Sequence, residues 1–312
     1  MNLSDITKIN FGSNNISAVY NGGIKLWPSG SEASNKVMKF TTTDGNTWDT
    51  VMSAYTADNR LITPVKKDAT GWTYDEEVEY FSCSNGSSTN LLTFEGFPKA
   101  VKIKNANGLF QGCNSCTDIS TANMDTSECW NMYNMFNGCK SLTSLDVSHF
   151  NTTRVTILAY MFSGCNSLTS LDVSHFNTSK AIDMTLMFNG CSKLSTLNVS
   201  NFDTSKVAEM ESMFGWCKSL TSLDVSHFNT SNVTIMSAMF QNCSSLTSLD
   251  LSNWDTTKVT DTEYMFLACD NLKTVKMTNC SQATVDKIRA AVEAAGYLNN
   301  VNFVVDDGIT LD

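Results

Sequence analysis

Cysteine recurs at positions 113, 139, 165, 191, 217, 243 and 269, a spacing of 26 residues every time. Phenylalanine keeps the same interval three residues earlier, from Phe110 through Phe136, Phe162, Phe188, Phe214 and Phe240 to Phe266. Leucine follows at 142, 168, 194, 220, 246 and 272. The thirteen residues SLTSLDVSHFNTS occur letter for letter at 167–179 and 219–231, with a near-copy starting at Ser141. A catalytic loop is needed once. A fixed period carried through many copies marks a stacked unit that buries its apolar face only against its neighbours. About seven such turns fit between Asn105 and Cys280.

Each turn can be read residue by residue. Leu145 and Val147 alternate with Ser144, Asp146 and Ser148, as a half-buried strand requires. Asn or Asp, then Thr, then Ser or Thr come next (NTT, NTS, DTS, NTS, DTT), residues suited to capping a helix start. Val155, Leu158, Met161 and Phe162 follow at i, i+3, i+6 and i+7, the spacing of one helical face. Gly138, Gly164 and Gly190 suit a left-handed stop, as does Asn242; Trp216 and Ala268 suit it less well. The expected unit is a short strand, a corner, a short helix and a turn back. Strands of successive units would pair about 4.8 Å apart. The expected fold is an α/β solenoid, with a parallel sheet on one face and helices on the other.

The repeat L-x-x-L-D-V-S-x-F-[DN]-T-[ST]-x-V-x-x-M-x-x-M-F-x-x-C resembles the BspA-like class of leucine-rich repeats. That resemblance covers a little over half of the chain. It implies a curved leucine-rich-repeat array of the kind found in bacterial surface proteins that adhere to host cells or matrix. It brings no catalytic residues with it.

The ends read differently. In residues 1–28, Asn21-Gly22-Gly23 between AVY and IKLW is a hairpin signal. Ile6, Ile9, Gly12, Ile16, Val19, Tyr20, Gly22, Trp27 and Pro28 resemble an N-terminal element of virion proteins of tailed phages of gut bacteria. That resemblance implies a β-hairpin anchor on the particle, with Tyr20 and Trp27 as anchor candidates; the plainer reading is a small hairpin docked on its neighbour. Residues 29–35 read as a polar linker. Residues 36–104 alternate in β style and read as a β-rich domain, or as a cap over the first repeat. Residues 281–312 read as a C-terminal helix-strand cap, with Gly296 ending the helix and NVNFVVD extending the strand ladder.

The chemistry offered by the composition is narrow. The net charge of -10 disfavours nucleic acid and anionic membrane surfaces. There is no 18-residue apolar stretch, so no membrane span is expected. The opening MNLSDITKINFGSNN shows no secretion signal, provided Met1 is the native start. The cysteine column lies at disulfide distance in principle, but a periodic column beside buried Phe reads as reduced thiols packing as small apolar groups. His149, His175 and His227 share one column with Asn201 and Asn253, which reads as a polar turn position rather than a metal site or a catalytic triad.

Asp146, Asp172, Asp224 and Asp250, with Asn198 among them, form an outward column flanked by serines. It reads either as a solvated stripe satisfied by Ser hydroxyls, or as a binding face for sugar hydroxyls, basic peptide groups or a cation such as calcium. Identical rungs cannot separate the pKa values of an acid and a base, so glycosidase chemistry is not expected. The candidate binding residues are Ser144, Asp146, Ser148, Asp172, Ser174, Asp224, Ser226, Asp250 and Ser252.

The expected function is non-enzymatic recognition, with no cofactor and no metal. As a phage virion component, the chain would hold other virion proteins through residues 1–28. It would meet a host surface protein or glycan through its repeats. The alternative is a bacterial cell-surface adhesin. A virion location would also imply a symmetric homo-oligomer.

Overall fold

A computed structural model describes residues 101–311, except 104, 115, 122–123 and 297–299. Before residue 101 it describes only short strand backbones. These are β1 (Ile6–Phe11), β2 (Asn14–Ile16), β3 (Lys36–Thr42), β4 (Thr47–Met52), β5 (Lys66–Asp68), β6 (Gly71–Thr73) and β7 (Leu92–Thr93). The first four form one antiparallel sheet in the order β2-β1-β3-β4. The predicted turn at Asn21-Gly22-Gly23, the linker at 29–35, and Tyr20 and Trp27 lie outside the described residues.

Parallel pairing begins with β7 against β9 (Ile119–Ser120) and β8 (Val101–Lys102) against β10 (Met124–Asp125). From there the repeats stack. Asn105, Asn131, Ile157, Asp183, Glu209, Ile235 and Asp261 form a continuous series of parallel bridges, each one period from the next. Towards the C-terminus the stack includes a regular parallel sheet of β11 (Leu223–Asp224), β12 (Ser248–Asp250), β13 (Thr274–Met277) and β14 (Asn302–Val305). Its register joins Leu223 to Leu249 and Leu249 to Val275. This is a repeat-containing domain built on parallel pairing.

Helix is scarce. The segments read as short helices, such as 155–162, are not helical; among the described residues the one α-helix is α1 (Gln282–Ala294). The backbone bonds show why. Phe162 N–H donates to the Met187 carbonyl of the next unit at 2.9 Å, and Tyr160 N–H to the Thr185 carbonyl at 2.8 Å. Between them, Met161 N–H closes a tight turn on Leu158 at 3.2 Å. An α-helix needs each of these donors for a carbonyl four residues earlier in its own segment. Tyr160 also adopts a left-handed φ of 59°, which interrupts any right-handed run. A chain of three-residue turns brings an apolar side chain inward every third residue, so the spacing 155, 158, 161 imitates a helical face.

The left-handed position after each Phe holds for every residue type found there. Gly138, Gly164 and Gly190 have φ of 79°, 70° and 74°, while Trp216, Asn242 and Ala268 have 60°, 58° and 59°. Along the core, the Phe column stacks from Phe110 to Phe266 with centroid separations of 5.2 to 5.9 Å. A second aromatic column (Phe150, Phe176, Phe202, Phe228 and Trp254) packs against it. At the C-terminal end, the Ser281 hydroxyl caps α1 by accepting from Thr284 N–H, and Val285, Ile288 and Val292 are buried. Strand β14 then adds to the edge of β13. No helix among the described residues is long and apolar enough to cross a membrane.

Candidate functional site

Position 146 and its equivalents lie between two buried residues, Leu145 and Val147, so their side chains leave the core. The same short turn fixes each of them. Asp146 Oδ1 accepts from Ser148 N–H at 2.9 Å and Asp172 Oδ1 from Ser174 N–H at 2.9 Å. Asp224 Oδ1 accepts from Ser226 N–H at 3.0 Å and from the Ser226 hydroxyl at 2.7 Å. Asn198 makes the same bond to Ser200 N–H at 3.0 Å, so the turn does not require a charge. These hydroxyl and backbone donors lower the pKa of Asp146, Asp172 and Asp224 from the ordinary carboxylate value, which keeps the column ionised at neutral pH.

Stacking these rungs makes an open groove of about 750 Å³. Four consecutive rungs line it, each with three residues: a hydroxyl (Ser144, Ser170, Thr196, Ser222), a leucine (Leu145, Leu171, Leu197, Leu223) and a carboxylate or amide (Asp146, Asp172, Asn198, Asp224). The leucines, expected only as core, are 6–8 % exposed and supply an apolar floor. Ser170, Thr196 and Ser222 could have been picked as site residues, since each repeats the column of Ser144 at one period.

Not every candidate residue joins the groove. Ser148, Ser174 and Ser226 sit in the turns behind the carboxylates, where their backbone N–H groups hold Oδ1. Ser252 is buried, 4 % exposed, and shares a 2.7 Å hydrogen bond with the Thr278 hydroxyl, so it is not part of an exposed face. Asp250 lies beyond the groove lining; its Oδ2 is 2.9 Å from Lys276 Nζ.

The other polar columns have structural partners. Nε2–H of His149, His175 and His227 donates to the carbonyls of Thr121, Val147 and Val199, each at 2.8 Å. A carbonyl cannot donate, so the ring nitrogen must, and the histidines tie each unit to the one before. Among the described residues, no group of three His, Cys, Asp or Glu side chains is placed to hold a metal ion.

The ten described cysteines are free and buried. Sγ–H of Cys191, for example, donates to the Phe162 carbonyl at 3.3 Å. Burial pushes the Cys129 thiol up to about 11 and the Cys269 thiol up to about 12, from an ordinary value of 9.0. A raised folded pKa favours the native state below the unfolded value. That contribution is complete below about pH 9 and is lost as pH climbs through 11 to 12. The urea midpoint is therefore expected to fall between pH 8 and pH 11, and less steeply in Cys269→Ala than in wild type. Equal slopes in the two proteins would show that the thiols do not drive the decline.

Two overlapping segments, residues 104–196 and 190–302, match a family described as "Mycoplasma protein of unknown function, DUF285". Together they span more than half of the chain. The chain belongs to this family. The boundaries fall on the stack itself: the match starts beside Asn105, where the bridge series starts, and ends in β14. Comparison with curated proteins and comparison with solved structures each find no match.

Proposed function

We propose that this protein is a non-enzymatic recognition protein whose repeats form a leucine-rich-repeat solenoid of BspA-like type, and that the groove is its ligand surface. The observation that carries this reading is the register of the lining. Four rungs place the same three chemical types in the same three columns over about 750 Å³. A surface of this kind suits an elongated ligand contacted repeatedly along its length, with hydroxyls and carboxylates fixing orientation over an apolar floor.

The reading extends to location. Residues 1–28 resemble virion N-termini, which supports a phage particle as the site of assembly, with those residues as the anchor and the repeats turned towards a host surface protein or glycan. A bacterial cell-surface adhesin is the second reading, and what favours it is the description of the matched family, which is of a bacterial protein.

Two experiments test the proposal. The purified chain is applied to arrays of surface glycans and host surface proteins beside Thr196→Trp, which fills the middle of the groove from an exposed position. Binding is expected for wild type and at least a tenfold loss for the variant; equal binding would remove the groove from the account. Phage particles carrying a chain that lacks residues 1–30 are expected to lose the protein. Its retention would remove the anchor, and its presence on bacterial surfaces without any phage would favour the second reading.

A further inference from the structure

This inference rests on reading the groove as a recognition surface and concerns the chemistry of what it takes. We propose that the groove receives a basic, extended protein segment, whose lysine or arginine heads reach Asp146, Asp172 and Asp224 while their aliphatic stems lie on the leucine floor.

The floor and the charge together select such a partner. Leu145, Leu171 and Leu197 are nearly but not wholly buried, so the groove offers a narrow apolar strip beside a row of carboxylates. Lysine and arginine are the side chains that match both halves, with an apolar stem and a cationic end. A sugar ring is best met by an aromatic face, and no aromatic side chain lines the groove.

The carboxylates are also unneutralised. The turns occupy Oδ1, and among the described residues Oδ2 of Asp146, Asp172 and Asp224 has no partner from another rung. Rungs about 4.8 Å apart place Asp146 and Asp172 close enough to repel each other.

The stack itself displays what this column accepts. At the next rung but one, position 276, the column changes from acid to lysine, and Lys276 Nζ sits 2.9 Å from Asp250 Oδ2. Asp250 thus takes an ammonium on the very oxygen that its three counterparts leave open. For rungs 146, 172 and 224 the residues one period away are Ser, Asp or Asn, so a cation must come from outside. From rung 146 to rung 224 is three steps, about 14 Å, which an extended segment of about five residues spans. Because Oδ1 is already held by the turn, little carboxylate freedom remains to be lost on binding.

The test uses the whole protein and an eight-residue oligolysine peptide as the probe, read by calorimetry at 0.15 M salt. Asn198 shows that an amide keeps the turn, so Asp146→Asn, Asp172→Asn and Asp224→Asn combined removes charge without removing the fold. That triple variant is expected to bind the peptide about tenfold more weakly. Lys276→Ala, which releases Asp250, is expected to bind it severalfold more tightly.

A control variant, Glu209→Gln with Glu211→Gln and Asp261→Asn, removes the same charge away from the groove. It is expected to match wild type, because none of the three residues lines the groove and charges that the ligand does not touch are largely screened at this salt. Three results would overturn the inference. In the first, the peptide does not bind. In the second, the triple variant and the control weaken it equally. In the third, a neutral glycan binds instead, lost in Thr196→Trp but unchanged in the triple variant; that result would overturn the basic ligand alone and leave the groove as a recognition surface. Absence of binding to any array member would remove both.

Discussion

Phe188→Ala is expected to destabilise the stack by about 3–5 kcal/mol, measured as the shift in urea unfolding. Phe188 is fully buried, and its ring lies 5.7 Å from Phe162 on one side and 5.9 Å from Phe214 on the other. Truncation removes an aromatic contact from two unit-to-unit interfaces at once. The neighbours cannot close the space by sliding together. Phe162 N–H is bonded to the Met187 carbonyl and Phe188 N–H to the Met213 carbonyl, each at 2.9 Å, and these bonds set the spacing of the rungs.

Phe266 provides the comparison. It is equally buried, but among the described residues it stacks within its column only on Phe240, at 5.8 Å. Phe266→Ala is expected to cost less than Phe188→Ala by about 1–3 kcal/mol, the value of two aromatic pairs, because Phe188 also packs on Phe202 of the second column at 6.3 Å. Equal costs would mean that each ring matters only through its own burial and that the column does not couple the units. Because a stack of this kind is stabilised by nearest-neighbour interfaces, the central substitution should also broaden the transition, as the two halves begin to unfold separately.

Much of this architecture is legible before any coordinates. The 26-residue spacing of Phe110 to Phe266 already implies a stacked column, and the alternation of Leu145, Asp146, Val147 and Ser148 already sorts inside from outside. What misleads is the segment from Val155 to Phe162. Its apolar spacing fits a helix and a series of tight turns equally well. The deciding feature, a left-handed residue at Asn134, Tyr160, Leu186, Ser212, Ala238 and Tyr264, carries a signature only at Asn134, since the other five are neither glycine nor asparagine.

The candidate site was legible in part for a similar reason. Outward direction follows from alternation, so Asp146, Asp172 and Asp224 could be placed. Whether a leucine on the inward side keeps a little exposure depends on how the rungs curve, which alternation does not encode. The Lys276–Asp250 pair was within reach of the sequence, since 276 lies one period after 250, but only once pairing register is taken as exact from rung to rung.

Thr152→Val is expected to destabilise by about 1–3 kcal/mol although it keeps the shape and volume of the side chain. Read as a corner residue, Thr152 suits the start of a helix. In the stack it is 2 % exposed, and its hydroxyl serves the next unit in both directions. It donates to the Asn177 carbonyl at 3.0 Å and accepts from the Asn177 N–H at 2.8 Å. Thr230 does the same for Asp255, at 2.9 and 2.7 Å, and Thr178 and Thr204 donate to the Asp203 and Asn229 carbonyls at 3.0 Å. The threonine column thus supplies unit-to-unit hydrogen bonds at the corner.

Valine removes both bonds at once and leaves a partly buried donor and acceptor without partners. Thr152→Ser keeps them and loses one methyl, at a cost of about 1 kcal/mol or less. The ordering Val below Ser below wild type is the informative result, because packing alone predicts the reverse, valine being the better volume match. Amide exchange at Asn177 separates the accounts further: it should quicken in the Val variant and stay near wild type in the Ser variant. Asn177 follows Asp172 by five residues on the same rung, so a corner that slips would also move a carboxylate along the groove. Weaker binding of any groove ligand to Thr152→Val, with every lining residue intact, would tie the recognition surface to the register that this column enforces.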